Sequence, residues 1–518
     1  MRNDTIYLKY SGYWALLLSF IAITAVEFSY VLGGLNCLDS LLFLLVPAFI
    51  LLVIQIVSTC ATETLNYSVA FAILVACITL SLFRLSAIEF GSVGDQYHLM
   101  KTVAFSIKNN FAIQFQSSSS VVIYVSDIVE SIWGIFWRWT QWDFVIILLQ
   151  ALPIVLVWQQ LVWFFQKQNV TAFAGPLATV VVLTLKILWC QQGSPFIDST
   201  VGMFIGIILL LCYSYLTPPY ERQFINLAGL VFLSGLCLIS KPTGICVAIL
   251  GLTVAFILGF RYLNPREKAG LSLIFLPSLA YLIYHQIQAQ IRTGNIFYPY
   301  INNTVGLSNS NYQYKEYYAP LPFHSWVRDH AFNFKPFYIL LSWLSDYKQD
   351  HIISPAPFYR GNGLVFSYFV IPIFVLWAFQ HKNIFKKELW KDPRIAIFIV
   401  IFLFYYFFPG SIDARFAVGY NIFILAWCLT YFWQCMESCR NWPKPIPTII
   451  ICLMFWMSAY TYQDGILGSL YERKILSPLL IQKEIFPQFE TPEIRSLLIQ
   501  KCFPGHSVKP AVLSKGDS

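Results

Sequence analysis

Apolar runs about twenty residues long recur along most of the chain, and no other feature restricts its fold as tightly. A helix rises 1.5 Å per residue, so a run of roughly 17 to 25 apolar residues matches the hydrocarbon thickness of a bilayer. Such runs cover 13–33, 38–59, 67–89, 143–165, 171–190, 196–216, 222–240, 243–262, 269–289, 363–380, 394–409, 416–433 and 446–462. The expectation is an all-α integral membrane protein with about thirteen transmembrane helices. Composition agrees: the 518 residues are 57% hydrophobic and 12% charged, too little polar surface to coat a water-soluble body of that size. Aromatic residues reach 18%, and Trp and Tyr favour the headgroup level, where a ring can lie in lipid and its polar tip in water.

The formal charge of +8 sits in short clusters between apolar runs and not along one stripe, so membrane orientation explains it and a nucleic-acid partner is not expected. With a cytoplasmic N-terminus, the inner loops carry Arg261, Arg266 and Lys268, then Lys382, Lys386, Lys387, Lys391 and Arg394, then Arg440 and Lys444, as the positive-inside rule requires. The N-terminal segment lacks a small-residue cleavage site and reads as an uncleaved first helix. The same alternation puts the long loops 90–142 and 290–362 outside, together with the tail 463–518; residues 1–462 form one transmembrane module. Val121 to Trp142 alternates apolar and polar residues at helical spacing, which predicts an amphipathic helix lying in the interface. Cysteines such as Cys212, Cys237 and Cys428 lie inside apolar runs, where a thiol acts as a small hydrophobe. Cys435 and Cys439 share a helix face but lack further His or Cys for zinc, and no metal or other cofactor is indicated.

Several polar residues interrupt this pattern at expected outer ends. GSVGDQYHL at 91–99 sets Asp95, Tyr97 and His98 just beyond the third run, with Glu89 upstream. Asp95 could act as a general base or cap a following helix, and the local sequence serves both readings. Glu89 suits a solvated helix end, and a lone His98 suits packing or hydrogen bonding. SKPTG at 240–244 is a tight turn with Lys241, which either snorkels to headgroups or binds a phosphate as a point charge. Asp413 and Arg415 begin a later run, where an Arg meets a lipid phosphate or an anionic ligand. Lys186 is an intramembrane cation, a functional candidate unless it snorkels. P-loop, GxGxxG, HExxH and GxSxG patterns are absent, so chemistry driven by ATP within this chain is not expected.

Taken in order, GDQYHL at 94–99, SKPTG at 240–244, TGNIFYP at 293–299 and ARFAVGY at 414–420 resemble the motifs of the GT-C superfamily of polytopic glycosyltransferases. Within it, the chain is similar to bacterial protein mannosyltransferases and lipid A aminoarabinose transferases. The chain departs from the pattern at Ile296, where Pro is usual, and at Phe416, where Tyr is usual; its acidic loop also follows the third run and not the first. The resemblance implies a bacterial inner-membrane enzyme with an extracytoplasmic active site. Its substrates would be a polyprenyl-phosphate sugar and an envelope glycan, lipid or protein acceptor. Asp95 would then be the catalytic base, with Glu89, Tyr97, His98, Lys241, Asn295, Tyr298, Asp413 and Arg415 binding substrate. Arg415 and Lys241 would stabilise the leaving phosphate. An O-antigen polymerase or ligase is the alternative, with Arg328 and Arg360 of the second long loop available to it. A transporter or flippase would need inverted repeats and paired broken helices, neither of which the sequence displays.

Overall fold

The computed structural model describes residues 65–84, 129–130, 133, 144–171, 173–190, 197–293, 363–380, 392–407, 414–438 and 445–475, side chains excepted at some positions. These residues are almost entirely helical, and no strand occurs among them. The helices are α1 (Leu65–Arg84), α2 (Phe144–Lys167), α3 (Ala174–Thr184), α4 (Lys186–Cys190), α5 (Asp198–Leu216), α6 (Phe224–Ser240), α7 (Ile245–Tyr262), α8 (Pro265–Thr293), α9 (Ile371–Gln380), α10 (Ile395–Phe407), α11 (Ala414–Ser438) and α12 (Pro445–Ile475). A single 3₁₀ turn, Pro242–Gly244, joins α6 to α7, and a π-helical turn, Phe366–Val370, leads into α9. Where their residues are described, the apolar runs from 67–89 onward fall almost wholly on helix. The last helix outruns its predicted segment by continuing to Ile475, into the region expected to be tail.

Among the described residues, three stretches are long and apolar enough to cross a membrane: Leu149–Lys167, Asp198–Leu216 and Ile245–Tyr262. Five shorter apolar helices accompany them among the described residues. The outer surface has the character that lipid favours. Ile257 and Phe260 on α7, Leu273 on α8, Phe402 on α10 and Trp456 on α12 are all more than half exposed. Several polar side chains turn inward instead and bond across helices. The Trp158 indole donates to Thr179 Oγ1 at 2.8 Å, and Ser458 Oγ donates to the Val180 carbonyl at 3.3 Å. In a hydrocarbon solvent such bonds have no water to compete with, while apolar side chains cost nothing on the outside.

Helix α5 is the axis of the bundle, buried along almost its whole length and packed against α2, α6, α7 and α11. Its closest neighbour is α11, because glycines face each other there. A Cβ on Gly202 would meet Val418 Cβ at 2.8 Å; one on Gly419 would meet Ile205 Cβ at 2.5 Å and the Gly202 carbonyl oxygen closer still. Small residues at a crossing let two backbones approach, and packing replaces the hydrophobic effect that lipid cannot supply.

One expectation changes. The run 171–190 is not one helix: it breaks at Leu185, whose ψ of 85° leaves the helical region. The cause is tertiary. Gly363, at φ +86°, presses its backbone against the Thr184 carbonyl, a conformation and a closeness that only glycine tolerates. The carbonyl of Val182 accepts the Trp189 indole N–H at 3.2 Å, which serves backbone that the break would strand. The predicted interfacial helix at 121–142 is described at three residues, Val129, Glu130 and Trp133, which are helical and buried.

Candidate functional site

Four chain segments meet at one end of the bundle. Helix α5 starts there with Asp198, and an acid in the first turn complements the helix dipole. Helix α6 ends beside it at Ser240, whose Oγ donates back to the Leu236 carbonyl at 2.6 Å. Pro242 then forbids helix for the residue before it, and Lys241 is extended accordingly, with φ −160° and ψ 148°. The 3₁₀ turn closes with the Gly244 N–H donating to the Lys241 carbonyl at 3.0 Å. Gly244 is required at this point, since a Cβ there would strike the Cys237 thiol and stand 3.0 Å from its carbonyl oxygen.

The Lys241 ammonium forms an ion pair with the Asp198 carboxylate. Their side chains are 12% and 2% exposed, so the pair is largely out of solvent. Close by in sequence, the Thr200 hydroxyl is buried with no hydrogen-bond partner among the described residues. The third and fourth segments are the start of α11 and the end of α10. The Tyr420 hydroxyl donates to the Thr243 carbonyl at 2.9 Å, tying α11 to the lysine turn. Phe404 stacks on Tyr420 with centroids 3.8 Å apart, and the Tyr405 hydroxyl donates to Asn421 Oδ1. Arg415 lies five residues before Tyr420, about 7.5 Å further along the helix axis toward the same end.

Two of the predicted site residues, Lys241 and Arg415, thus belong to neighbouring segments. Arg415 is described in its backbone alone. Glu89, Asp95, Tyr97, His98, Asn295, Tyr298 and Asp413 lie outside the described residues, as do Arg328 and Arg360. Sequence reasoning missed Asp198. The signal available was an acid heading a strongly apolar run, which is costly in a membrane and so needs a partner. It also read Lys241 as a cation facing headgroups or phosphate, whereas the structure gives it a buried acid 43 residues away.

A second polar locus lies at the break in the run 171–190. Lys186 is buried and opens α4 immediately after Leu185. Among the described residues, no group of three or more His, Cys, Asp or Glu could hold a metal ion. No family model matches the chain, nor does any curated protein or solved structure, so the family resemblance rests on the sequence motifs by themselves.

Proposed function

We propose that this chain is a multi-pass membrane glycosyltransferase of GT-C type, in a bacterial inner membrane, that transfers a sugar from a polyprenyl-phosphate donor to an envelope glycan, lipid or protein. The N-terminus is cytoplasmic and the Lys241 end of the bundle is extracytoplasmic. Asp95 takes the proton of the acceptor hydroxyl as that oxygen attacks the anomeric carbon with inversion, and the lipid phosphate leaves. A phosphate needs little protonation to depart, so one carboxylate suffices, and fixed cations matter more as negative charge develops. Arg415 and Lys241 fill that role. Asp198 holds Lys241 in place, which leaves Arg415 to supply the net positive charge.

One observation carries this reading. The lysine turn and the first turns of α11, some 170 residues apart in sequence, are joined by the hydrogen bond from Tyr420 to Thr243 at one end of the bundle. The order of the motifs in the chain supports it further. The test is sugar transfer in membranes containing the chain, with radiolabelled polyprenyl-phosphate sugars as donors. Asp95→Ala should lower transfer by at least about 100-fold, the lower range for loss of general base catalysis. Transfer that survives in Asp95→Ala and fails when Arg328 and Arg360 are replaced identifies a polymerase or ligase instead.

The interrupted helix α3–α4, with buried Lys186 just past the break, favours a second reading, a transporter, since such proteins place binding groups where a helix is broken near mid-membrane. Proteoliposomes that move a lipid-linked sugar across the bilayer, without transferring the sugar, would select it.

A further inference from the structure

At the end of the bundle opposite Lys241, the turns joining α5 to α6 and α7 to α8 lie together. The Phe224 ring fixes them, since a Cβ on Gly270 would touch it at 3.0 Å. This contact brings Arg222, at the end of the first turn, to Tyr262, at the start of the second. The Arg222 guanidinium lies 4.8 Å from the centroid of the Tyr262 ring, and the Arg261 guanidinium lies 5.4 Å from the same centroid. Both arginines are exposed. Two like charges gathered on one ring repel each other, and the negative face of the ring offsets only part of that.

The neighbouring acids are turned to the backbone and form no ion pair with either arginine among the described residues, which leaves the guanidinium groups open to another anion. Glu221 Oε1 accepts the N–H groups of Arg222 at 3.0 Å and Gln223 at 2.8 Å. Glu267 Oε2 accepts the Asn264 N–H at 2.9 Å, while Asn264 Oδ1 accepts the Glu267 N–H at 3.0 Å, a reciprocal cap on the start of α8. Arg266 and Lys268 add further positive charge to the second turn. Directly beside the arginines, the outward face of α7 is apolar, with Ile257 60% and Phe260 69% exposed. Guanidinium groups at the level where such a face begins match a molecule with a phosphate at one end and hydrocarbon at the other.

We propose that Arg222 and Arg261, gathered on the Tyr262 ring, hold the phosphate of an anionic phospholipid whose acyl chains lie along Ile257 and Phe260. The lipid belongs to the leaflet opposite the Lys241 end and is a resident of the fold, not a substrate. This proposal is independent of the glycosyltransferase reading, and neither failure implies the other.

The test is native mass spectrometry of the purified full chain, incubated in detergent with equal amounts of phosphatidylglycerol and phosphatidylcholine of matched chains. Wild type should retain phosphatidylglycerol several-fold over phosphatidylcholine. Arg222→Gln/Arg261→Gln should bring the ratio near one. A double variant that keeps the preference overturns the proposal. So does loss of bound phosphatidylglycerol to millimolar inorganic phosphate, which would mark a small-anion site. Should the double variant fail to fold, wild type alone decides: the preference must fall several-fold in high salt, and one that persists there refutes a phosphate contact made by exposed cations.

Discussion

Replacing Gly419 with alanine tests whether close backbone contact between α5 and α11 is what assembles the lysine end of the bundle. The new methyl carbon would stand 2.5 Å from Ile205 Cβ and closer still to the Gly202 carbonyl oxygen. Neither atom is the end of a flexible side chain, so relief requires the helices themselves to part. Ordinary carbon contact begins near 3.5 Å, which sets the separation at about 1 Å. A gap of that size forfeits about a quarter to a half of the dispersion energy along the crossing, and overpacked sites lose about 1–3 kcal/mol. We expect about 2–3 kcal/mol for Gly419→Ala. Gly206→Ala on the same face should cost less than about 1 kcal/mol, because its methyl would meet only the Ile422 side chain, at 3.0 to 3.2 Å, so a shift of a few tenths of an ångström relieves it. The assay is reversible unfolding in mixed detergent micelles, followed by tryptophan fluorescence. Because α11 carries Arg415 and α5 carries Asp198, the partner of Lys241, the same displacement should also lower the sugar transfer proposed above. A Gly419→Ala protein within about 0.5 kcal/mol of wild type, or a Gly206→Ala protein that is the less stable of the two, would refute the reasoning.

The Asp198–Lys241 pair should reveal itself in a double-mutant cycle in the same unfolding assay. Either single alanine strands a mostly buried charge and should cost about 3–5 kcal/mol, whereas the double variant should cost at least about 1 kcal/mol less than the two combined; additivity would mean that the pair carries no coupling. At the opposite end, Asp392 is held below its ordinary carboxylate range chiefly by hydrogen bonds from the Arg394 side chain, with burial opposing. A folded value below the unfolded one gives stability that is fully present above the unfolded value of about 3.9 and is lost as pH falls through the depressed folded value. Asp392→Asn should therefore cost about 0.5 kcal/mol at pH 7, the scale of a partly exposed pair, and the gap to wild type should narrow in acid unfolding measurements. A gap that stays constant down to the acid limit would contradict this.

Helix existence was legible in the sequence because each apolar run is long enough to satisfy its own backbone in lipid, and only a helix does so within one segment. For the same reason the boundaries of α5, α6 and α7 fall within a few residues of the predicted runs. Inward and outward faces were not legible. An apolar side chain is as comfortable against lipid as against another helix, so Ile257, which faces outward, and Val254, which faces inward, look alike in the sequence. The candidate site was half visible. SKPTG and the start of α11 announced themselves as polar interruptions, while Asp198 heads a run whose other residues give no hint of its partner.

What the sequence determined unaided is the all-helical character of the described chain, the placement of its helices and the lysine turn between two of them. Tertiary structure alone decided that α5 becomes the axis, since that depends on Gly202 and Gly419 meeting across two distant segments. It likewise decided that α3 and α4 separate at Leu185, where a glycine from residue 363 presses on the Thr184 carbonyl, and that Lys241 finds Asp198. Local sequence fixes whether a segment can bury its own hydrogen bonds. Which segments then touch depends on small residues and a few charges whose partners lie tens to hundreds of residues away.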